Sequence, residues 1–187
     1  VVMYSSLAQS GLIVIGLFSL NDLGFDGAVL QMVNHALISA TLFLLAGMVE
    51  RRTSTGEFRL LGGLARGRPI LATVVLTIGV ISLAVPLSAS FAGEFLILAG
   101  ALQQHWAWAV VGAVAIVLAA MYMLRWISAL LHQDVGAAVP ESALDLRVGE
   151  LAVIVPLVLC LIGLSVWPNL VSGHSAPKNT SIVTVAK

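Results

Sequence analysis

The feature that most constrains this chain is an apolar run, residues 69–102, whose one charged side chain is Glu94. As a straight helix this run would reach about 50 Å, whereas the hydrocarbon core of a bilayer is about 30 Å thick. Pro86 lies near its middle and removes a backbone donor, which breaks the helical ladder. Non-helical backbone persists in a membrane only inside protein or beside a wet cavity. The run therefore predicts a discontinuous helix broken at Pro86.

Composition places the whole chain in a membrane. Hydrophobic residues make up 59% of the sequence and charged residues 10%, whereas soluble domains have about 25% charged residues. The formal net charge is zero, so composition gives no reason to expect a nucleic-acid partner. We predict an integral membrane protein that contacts the lipid bilayer, with an all-α, polytopic transmembrane helix bundle.

The spacing of the apolar runs predicts about five spans, with the third one, 69–102, discontinuous at Pro86. The predicted spans are residues 1–20, 27–49, 69–102, 106–131 and 151–167. Residues 21–26 look like a turn, because they combine aspartates with glycine. Residues 1–167 form one membrane domain, and residues 168–187 form a polar C-terminal tail. Because the chain begins inside an apolar run, we expect it to be a fragment of a longer protein.

Orientation follows from the distribution of lysine and arginine between the two faces. With five crossings, one face holds seven arginines and the other holds two lysines. The arginines are Arg51, Arg52, Arg59, Arg66, Arg68, Arg125 and Arg147, and the lysines are Lys178 and Lys187. The loop 50–68 is therefore predicted to be cytoplasmic, and the C-terminus is predicted to lie outside.

Glu94 is the first candidate for a functional group. A charge at bilayer depth costs roughly 2.5–3.5 kcal/mol on insertion scales, so such residues usually serve a function. One interpretation is a carboxyl group that loads and releases protons, beside a helix break formed by Pro86, Ser88 and Ser90. The other is a structural glutamate, hydrogen-bonded within the bundle or at a helix end. The continuing apolar sequence on both sides favours the first.

His35 is the second candidate, because it lies inside the second predicted span. Gln31, His35 and Ser39 recur at intervals of four and therefore share one helix face. Such a polar stripe can hold a file of water beside a titratable histidine, or it can simply hydrogen-bond neighbouring helices. The spacing does not decide between these. Near the start of the chain, Ser5, Ser6, Gln9 and Ser10 either extend a polar path or mark a helix end.

Motifs for other chemistry are missing from the sequence. We find no metal-ligand spacing, no phosphate-binding loop and no nucleophile–base pair. We therefore expect neither a bound metal, a cofactor nor a redox centre in this chain.

Four segments together resemble the antiporter-like membrane subunits of respiratory NADH–quinone oxidoreductase (complex I), most closely the chain M branch, called chain 4 in mitochondria. They are YSSLAQSGLIVIGLF (4–18), GAVLQMVNHALISATLFLLAGMVERR (27–52), LGGL (61–64) and PLSASFAGEFLIL (86–98). The resemblance implies the C-terminal helices of a proton-translocating subunit. It implies a cell membrane of bacterial type, the inner or plasma membrane. NADH, flavin, iron–sulfur clusters and quinone are then expected in partner subunits, and other membrane subunits, including antiporter-like chains, are the expected partners.

The resemblance also assigns roles and shows two departures. Glu94 falls on the terminal proton-channel residue of a discontinuous helix, and His35 on a histidine of the central hydrophilic axis. Leu87 follows Pro86 where the family usually has glycine, so we expect a break that is shorter or differently shaped. Gln9 stands where the family often has histidine, so a relay step there is not implied.

Two alternatives to the complex I interpretation stay open. The first is a subunit of a multi-chain cation/proton antiporter or a membrane-bound hydrogenase, which share this fold. The second is a non-transporting membrane scaffold, in which Glu94 and His35 hold helices together. Adjacent genes distinguish the first alternative, and lost assembly without lost pumping distinguishes the second.

Overall fold

The computed structural model describes residues 2–57, 60–140 and 144–172, and these residues form seven α-helices without a β-strand. The helices are α1 (Val2–Leu17), α2 (Asp22–Thr53), α3 (Pro69–Ser82), α4 (Ala89–Gln104), α5 (Trp106–His132), α6 (Val148–Val166) and α7 (Asn169–Ser172). The predicted all-α helix bundle is confirmed. Much of the predicted tail, from residue 173 onward, lies outside the described residues, as does Arg59 in the loop.

Three helices of the described residues, α2, α5 and α6, are long and apolar enough to cross a membrane. α1 and α3 are shorter apolar helices. α3, the break and α4 together occupy the third predicted span. The structure is thus consistent with a membrane bundle of about five spans, one of them discontinuous.

α2 starts earlier than the sequence predicts, so the predicted turn over 21–26 is wrong. Asn21 caps the helix, and its side chain accepts a hydrogen bond from the Gly24 amide at 2.9 Å. An asparagine cap satisfies one of the free amide groups in the first turn. Gly24 and Gly27 are buried helical residues and not turn residues. They are glycine because neighbouring backbone approaches them closely.

α2 and α4 form the central pair and run antiparallel. A Cβ at Gly27 would lie 2.7 Å from the Ile97 backbone nitrogen, and one at Gly100 would lie 2.5 Å from the Gly24 Cα. Further along, a Cβ at Gly93 would lie 2.5 Å from Gln31 Oε1. A side chain at any of these glycines would therefore clash with the facing helix, and we call this contact the glycine seam. Small residues of this kind allow close helix packing in membranes.

The break lies between α3 and α4, over residues 83–88, and the predicted discontinuity at Pro86 is confirmed. Ser88 caps α4, since its side chain accepts a hydrogen bond from the Phe91 amide at 3.1 Å. Leu87 has φ 80°, in the left-handed region that favours glycine. Its side chain is 92% exposed, so packing of that side chain within the chain does not explain the conformation.

The opposite half of the bundle is apolar and is closed by loop residues 60–68, 133–140 and 144–147. Side chains of α2, α3, α5 and α6 meet in one cluster, which includes Leu45, Leu71, Ile78 and Ile127. Loop backbone then pairs with the end of α5: the Gly63 amide donates to the Ala129 carbonyl at 2.8 Å, and the Ala65 amide donates to the Leu130 carbonyl at 3.0 Å.

One ion pair and two further charged side chains complete this closure, and we call Arg52, Arg68, Asp145 and Glu150 the arginine end. Arg52 Nη1 and Nη2 donate to both carboxylate oxygens of Glu150, at 2.9 and 2.5 Å. The same guanidinium donates to the carbonyls of Met48, Leu144 and Asp145. Arg68 is 7% exposed and donates to the carbonyls of Leu64 and Pro140.

Asp145 caps α3 from a distant part of the chain. Its carboxylate accepts hydrogen bonds from the Ile70 and Leu71 amides, each at 2.9 Å, and from the Leu146 amide at 2.8 Å. Desolvation by itself raises the pKa of Asp145, but these three amides and the charge of Arg52 outweigh it, so the pKa lies below the usual value. A carboxylate at a helix N-terminus is favourable because the first amide groups are otherwise unpaired.

Candidate functional site

A polar cavity lies where α1, α2 and α5 meet the break. The side chains lining it are mostly polar: Ser5, Gln9, Gln31, His35, Ser39, Ser82, Ser90 and Tyr122, with Ile38, Leu42 and Met123. The cavity volume open to water is about 20 Å³, and roughly 10–15 Å³ is enough for one water molecule. A space of this size with several polar walls is suited to water.

Glu94 lies next to this cavity, one helical turn beyond Ser90. Its side chain is buried, with 5% exposure. Gln9 Nε2 donates to Glu94 Oε1 at 3.0 Å, and Gln9 Oε1 accepts from Gln31 Nε2 at 2.9 Å. Among the described residues Glu94 forms no ion pair. A carboxyl group buried beside a neutral amide has no fixed positive charge to hold it in one charge state.

His35 lines the cavity and is half-buried. Its Nε2 is 2.8 Å from Ser6 Oγ and 3.2 Å from Ser39 Oγ. Each hydroxyl can donate or accept, so both tautomers of the ring can be satisfied. Gln31, His35 and Ser39 all line the cavity, on the face of α2 that their spacing defines.

The residues of the break divide into two groups. Ser90 is 1% exposed and lines the cavity. Pro86 and Ser88 are not part of the cavity's described wall: Pro86 is exposed in the break, and Ser88 caps α4. The two therefore shape the backbone that positions Ser90 and Glu94.

Three buried polar groups of this region have atoms without a hydrogen-bond partner among the described residues. They are Gln31 Oε1, Ser90 Oγ and both side-chain atoms of Asn34, whose side chain is 0% exposed. In the antiparallel seam Gly24 meets Gly100, Gly27 meets Ile97 and Gln31 meets Gly93. The same register places Asn34 level with Ser90. We call Gln9, Gln31, Asn34, His35, Ser39, Ser90 and Glu94 the polar layer.

Sequence reasoning gave too little weight to two members of this site. The sequence groups Gln9 with Ser5, Ser6 and Ser10 as either a polar path or a helix end, without linking it to Glu94, whereas the structure shows that it contacts both Glu94 and Gln31. Its spacing of four from Ser5 was the available signal, since both line the cavity. Tyr122 was not considered, although a hydroxyl inside an apolar helix needs a partner.

The described residues contain no cluster of three or more histidine, cysteine, aspartate or glutamate side chains that could hold a metal ion. The groups that line or adjoin the cavity are carboxyl, imidazole, hydroxyl and amide groups. Of these, the Glu94 carboxyl and the His35 imidazole are groups that can take up and release protons.

Comparison with known proteins identifies the family to which this fold belongs. The model of the NADH:quinone oxidoreductase/Mrp antiporter transmembrane family matches residues 1–121, which include both His35 and Glu94. The chain belongs to this family. The resemblance found in the sequence is thereby confirmed.

Curated relatives in the family carry the names of complex I subunits. The chain is 36% identical over 166 residues to NADH-quinone oxidoreductase subunit M of Rickettsia prowazekii, covering 89% of this chain and 34% of that protein. It is 32% identical over 169 residues to NADH-ubiquinone oxidoreductase chain 4 of Marchantia polymorpha, covering 90% of this chain and 34% of that protein. The chain thus spans about a third of the length of these relatives.

A solved structure agrees with this placement. Respiratory complex I from Thermus thermophilus with bound NADH contains a chain that matches with a TM-score of 0.82 and 27% identity. The match covers 91% of this chain and 36% of that chain. The same complex with bound aureothin contains a chain with a TM-score of 0.55 and 21% identity, which supports the fold alone.

Proposed function

We propose that this chain is the C-terminal part of a proton-translocating membrane subunit of an NADH–quinone oxidoreductase. The names of the relatives and the fold shared with a complex I chain support this proposal. Electron transfer from NADH through flavin and iron–sulfur clusters to quinone takes place in partner subunits. This chain contributes proton transfer and no redox centre.

Glu94 is the group that takes up and releases the proton, and His35 passes protons along the cavity. The observation that carries this proposal is the burial of Glu94 beside a helix break, where its one side-chain hydrogen bond among the described residues comes from a neutral amide. In each transfer the carboxylate oxygen of Glu94 gains a proton that a water or the imidazolium of His35 loses, and the reverse step restores both. Gln31, Ser39 and Ser90 line the route between them.

Orientation and location follow from the arginines. The loop 50–68 faces the cytoplasm of a bacterial cell and the C-terminus faces outward, because cytoplasmic loops hold the excess of arginine and lysine. The arginine end then lies at the cytoplasmic side of the inner membrane. Its partners are the other membrane subunits of the complex, including neighbouring antiporter-like chains.

A second candidate function comes from the family itself, whose description includes the Mrp antiporter. In that case the same carboxyl group exchanges protons against a cation, without electron transfer. Genes beside this one distinguish the two: chains for NADH oxidation support the oxidoreductase, and a set of small antiporter chains supports the antiporter.

The test is Glu94→Gln in the full-length subunit, assembled into its complete complex and reconstituted in vesicles. We expect proton translocation to fall by about tenfold or more, the scale of losing a positioned proton-transfer group. Glu94→Asp keeps the carboxyl and should retain part of the activity. The matched control is Glu57→Gln, because Glu57 is exposed in the loop.

Two outcomes contradict the proposal. If Glu94→Gln leaves the number of protons moved per electron unchanged, Glu94 is not the proton carrier. If the variant lowers the amount of assembled complex while each assembled complex pumps normally, Glu94 is a structural residue, as in a membrane scaffold.

A further inference from the structure

The contacts of Gln9 limit how a proton can reach Glu94. The amides of Gln31 and Gln9 point the same way: Gln31 Nε2 donates to Gln9 Oε1, and Gln9 Nε2 donates to Glu94 Oε1. The first bond is 2.9 Å and the second 3.0 Å. Glu94 Oε1 is therefore occupied by an N–H donor that reaches it from α1.

An amide chain of this kind holds a carboxyl group but does not conduct its proton. A glutamine has a carbonyl acceptor and an NH₂ donor, and neither changes protonation near neutral pH. An imidazole does, by gaining a proton at one nitrogen and losing one at the other. The route through Gln9 and Gln31 is thus closed to protons, and Glu94 Oε2 is the oxygen left to exchange one.

The cavity offers a different approach toward Glu94, past Ser90. Ser90 and Gln31 line the cavity and their side chains are 1% exposed, and neither Ser90 Oγ nor Gln31 Oε1 has a hydrogen-bond partner among the described residues. Buried polar atoms are nearly always paired, with protein or with ordered water. The cavity has room for about one water, and Ser90 lies one helical turn from Glu94 on the same face.

We propose that Gln9 and Gln31 form a non-conducting amide clamp that positions Glu94, and that the proton reaches Glu94 through water held at Ser90 and Gln31 Oε1. This inference rests on the proposed function, since it concerns the route to the same carboxyl group. The water gives one of its protons to Glu94 Oε2 and receives one from the imidazolium of His35 across the cavity. Gln9 is a positioning residue in this scheme, and Ser90 holds the relay.

The experiment measures proton translocation and quinone reduction by the complete complex in vesicles. Ser90→Ala should lower translocation by about tenfold, and Ser90→Thr, which keeps the hydroxyl, should restore most of it. Gln9→Leu should lower it by about threefold to tenfold, because one positioning hydrogen bond is lost. The matched controls, Ser128→Ala and Gln103→Leu, change exposed residues of α5 and α4 and should have no effect.

The double variant Ser90→Ala with Gln9→His separates the clamp from the relay. Gln9 contacts Glu94 and lines the cavity, so a histidine there supplies a conducting group and should recover part of the lost translocation. A variant that merely damages the packing would show no such recovery. A double variant no more active than Ser90→Ala overturns the inference.

Two further results also overturn it. One is full translocation in Ser90→Ala. The other is a loss in Gln9→Leu as complete as in Glu94→Gln, which would place the amide in the proton route. If Glu94→Gln itself has no effect, the proposed function fails first; if only Glu94→Gln has an effect, the proposed function stands and this inference alone fails.

Discussion

The polar layer and the arginine end are both built from buried or partly buried polar side chains, yet they differ in how many of their polar atoms have hydrogen-bond partners. Arg52 places its guanidinium on five acceptor atoms, and Asp145 accepts three amide hydrogen bonds. In the polar layer, Gln31, Asn34 and Ser90 keep buried atoms with no partner among the described residues. The polar groups of the arginine end are hydrogen-bonded, whereas several atoms of the polar layer are available to bind water.

This difference suggests two roles: the arginine end stabilises the fold, and the polar layer allows proton exchange. A fully paired network fixes loops and helix ends, because each broken contact leaves a buried group unsatisfied. A partly paired layer beside a cavity can bind water and change its hydrogen bonds as a proton moves. We therefore expect the arginine end to respond to substitution with lost stability, and the polar layer with lost transport.

The largest effect on stability should come from Arg52→Leu. It leaves Glu150 without its ionic partner, and Arg52 and Glu150 are only 11% and 21% exposed. We expect a loss of about 2–3 kcal/mol, below the full range for completely buried pairs. Thermal unfolding of the purified complex measures it. Arg51→Leu is the matched control, since Arg51 is the exposed neighbour; equal losses in both variants would contradict the structural role of Arg52.

Asp145→Asn should have the next largest effect, about 1 kcal/mol, the usual worth of a helix cap. Because the folded pKa of Asp145 lies below its usual value, the charged carboxylate stabilises the fold above that value, about 3.9. This stabilisation is lost as the pH falls through the folded pKa. The difference between wild type and variant, measured by thermal unfolding, should shrink below about pH 4; a difference that grows on acidification would contradict the cap.

A substitution in the break should raise the stability of the fold, whereas those in the arginine end lower it. Leu87→Gly places glycine at φ 80° and should stabilise the fold by up to about 1 kcal/mol, since glycine adopts this conformation without steric cost. Val85→Gly is the control, because Val85 does not have a positive φ, and glycine there should destabilise. Thermal unfolding distinguishes them. A loss of stability in Leu87→Gly would show that the exposed leucine side chain packs against a partner.

The smallest effect on stability is expected from Asn34→Leu. Its side chain is 0% exposed and both amide atoms are unpaired among the described residues. Leucine has a similar size and no polar atoms that must lose their hydration on folding. We therefore expect the free energy of unfolding to change by no more than about 0.5 kcal/mol. The same thermal unfolding measurement applies. A loss as large as that of Arg52→Leu would remove the contrast between the two regions.

Much of the fold could be predicted from local sequence. Run length and hydropathy located the spans, and Pro86 located the break, because both properties act within a few residues. The start of α2 was missed for a tertiary reason: Gly24 and Gly27 are small to admit α1 and α4, and glycines near aspartates look like a turn. The cap at Asn21 outweighs that signal.

The site was less predictable, because its key contacts join distant parts of the chain. Gln31, His35 and Ser39 could be grouped by helical spacing. Gln9 meets Glu94 across 85 positions, and no local pattern specifies that contact. The cap of α3 by Asp145 spans 75 positions to Ile70 and was missed for the same reason.

The glycine seam has a mechanical consequence. Backbone contact between α2 and α4 leaves α4 little freedom to slide or rotate, and Asp145 pins the first turn of α3. If the cavity widens, we expect the backbone change in residues 83–88, between α3 and α4. The Ser82 end of α3 would move with it. Short backbone segments of this kind move within nanoseconds to microseconds, whereas collective helix displacements take microseconds to milliseconds. Backbone changes confined to residues 83–88 would therefore be faster than a displacement of the whole α3–α4 unit.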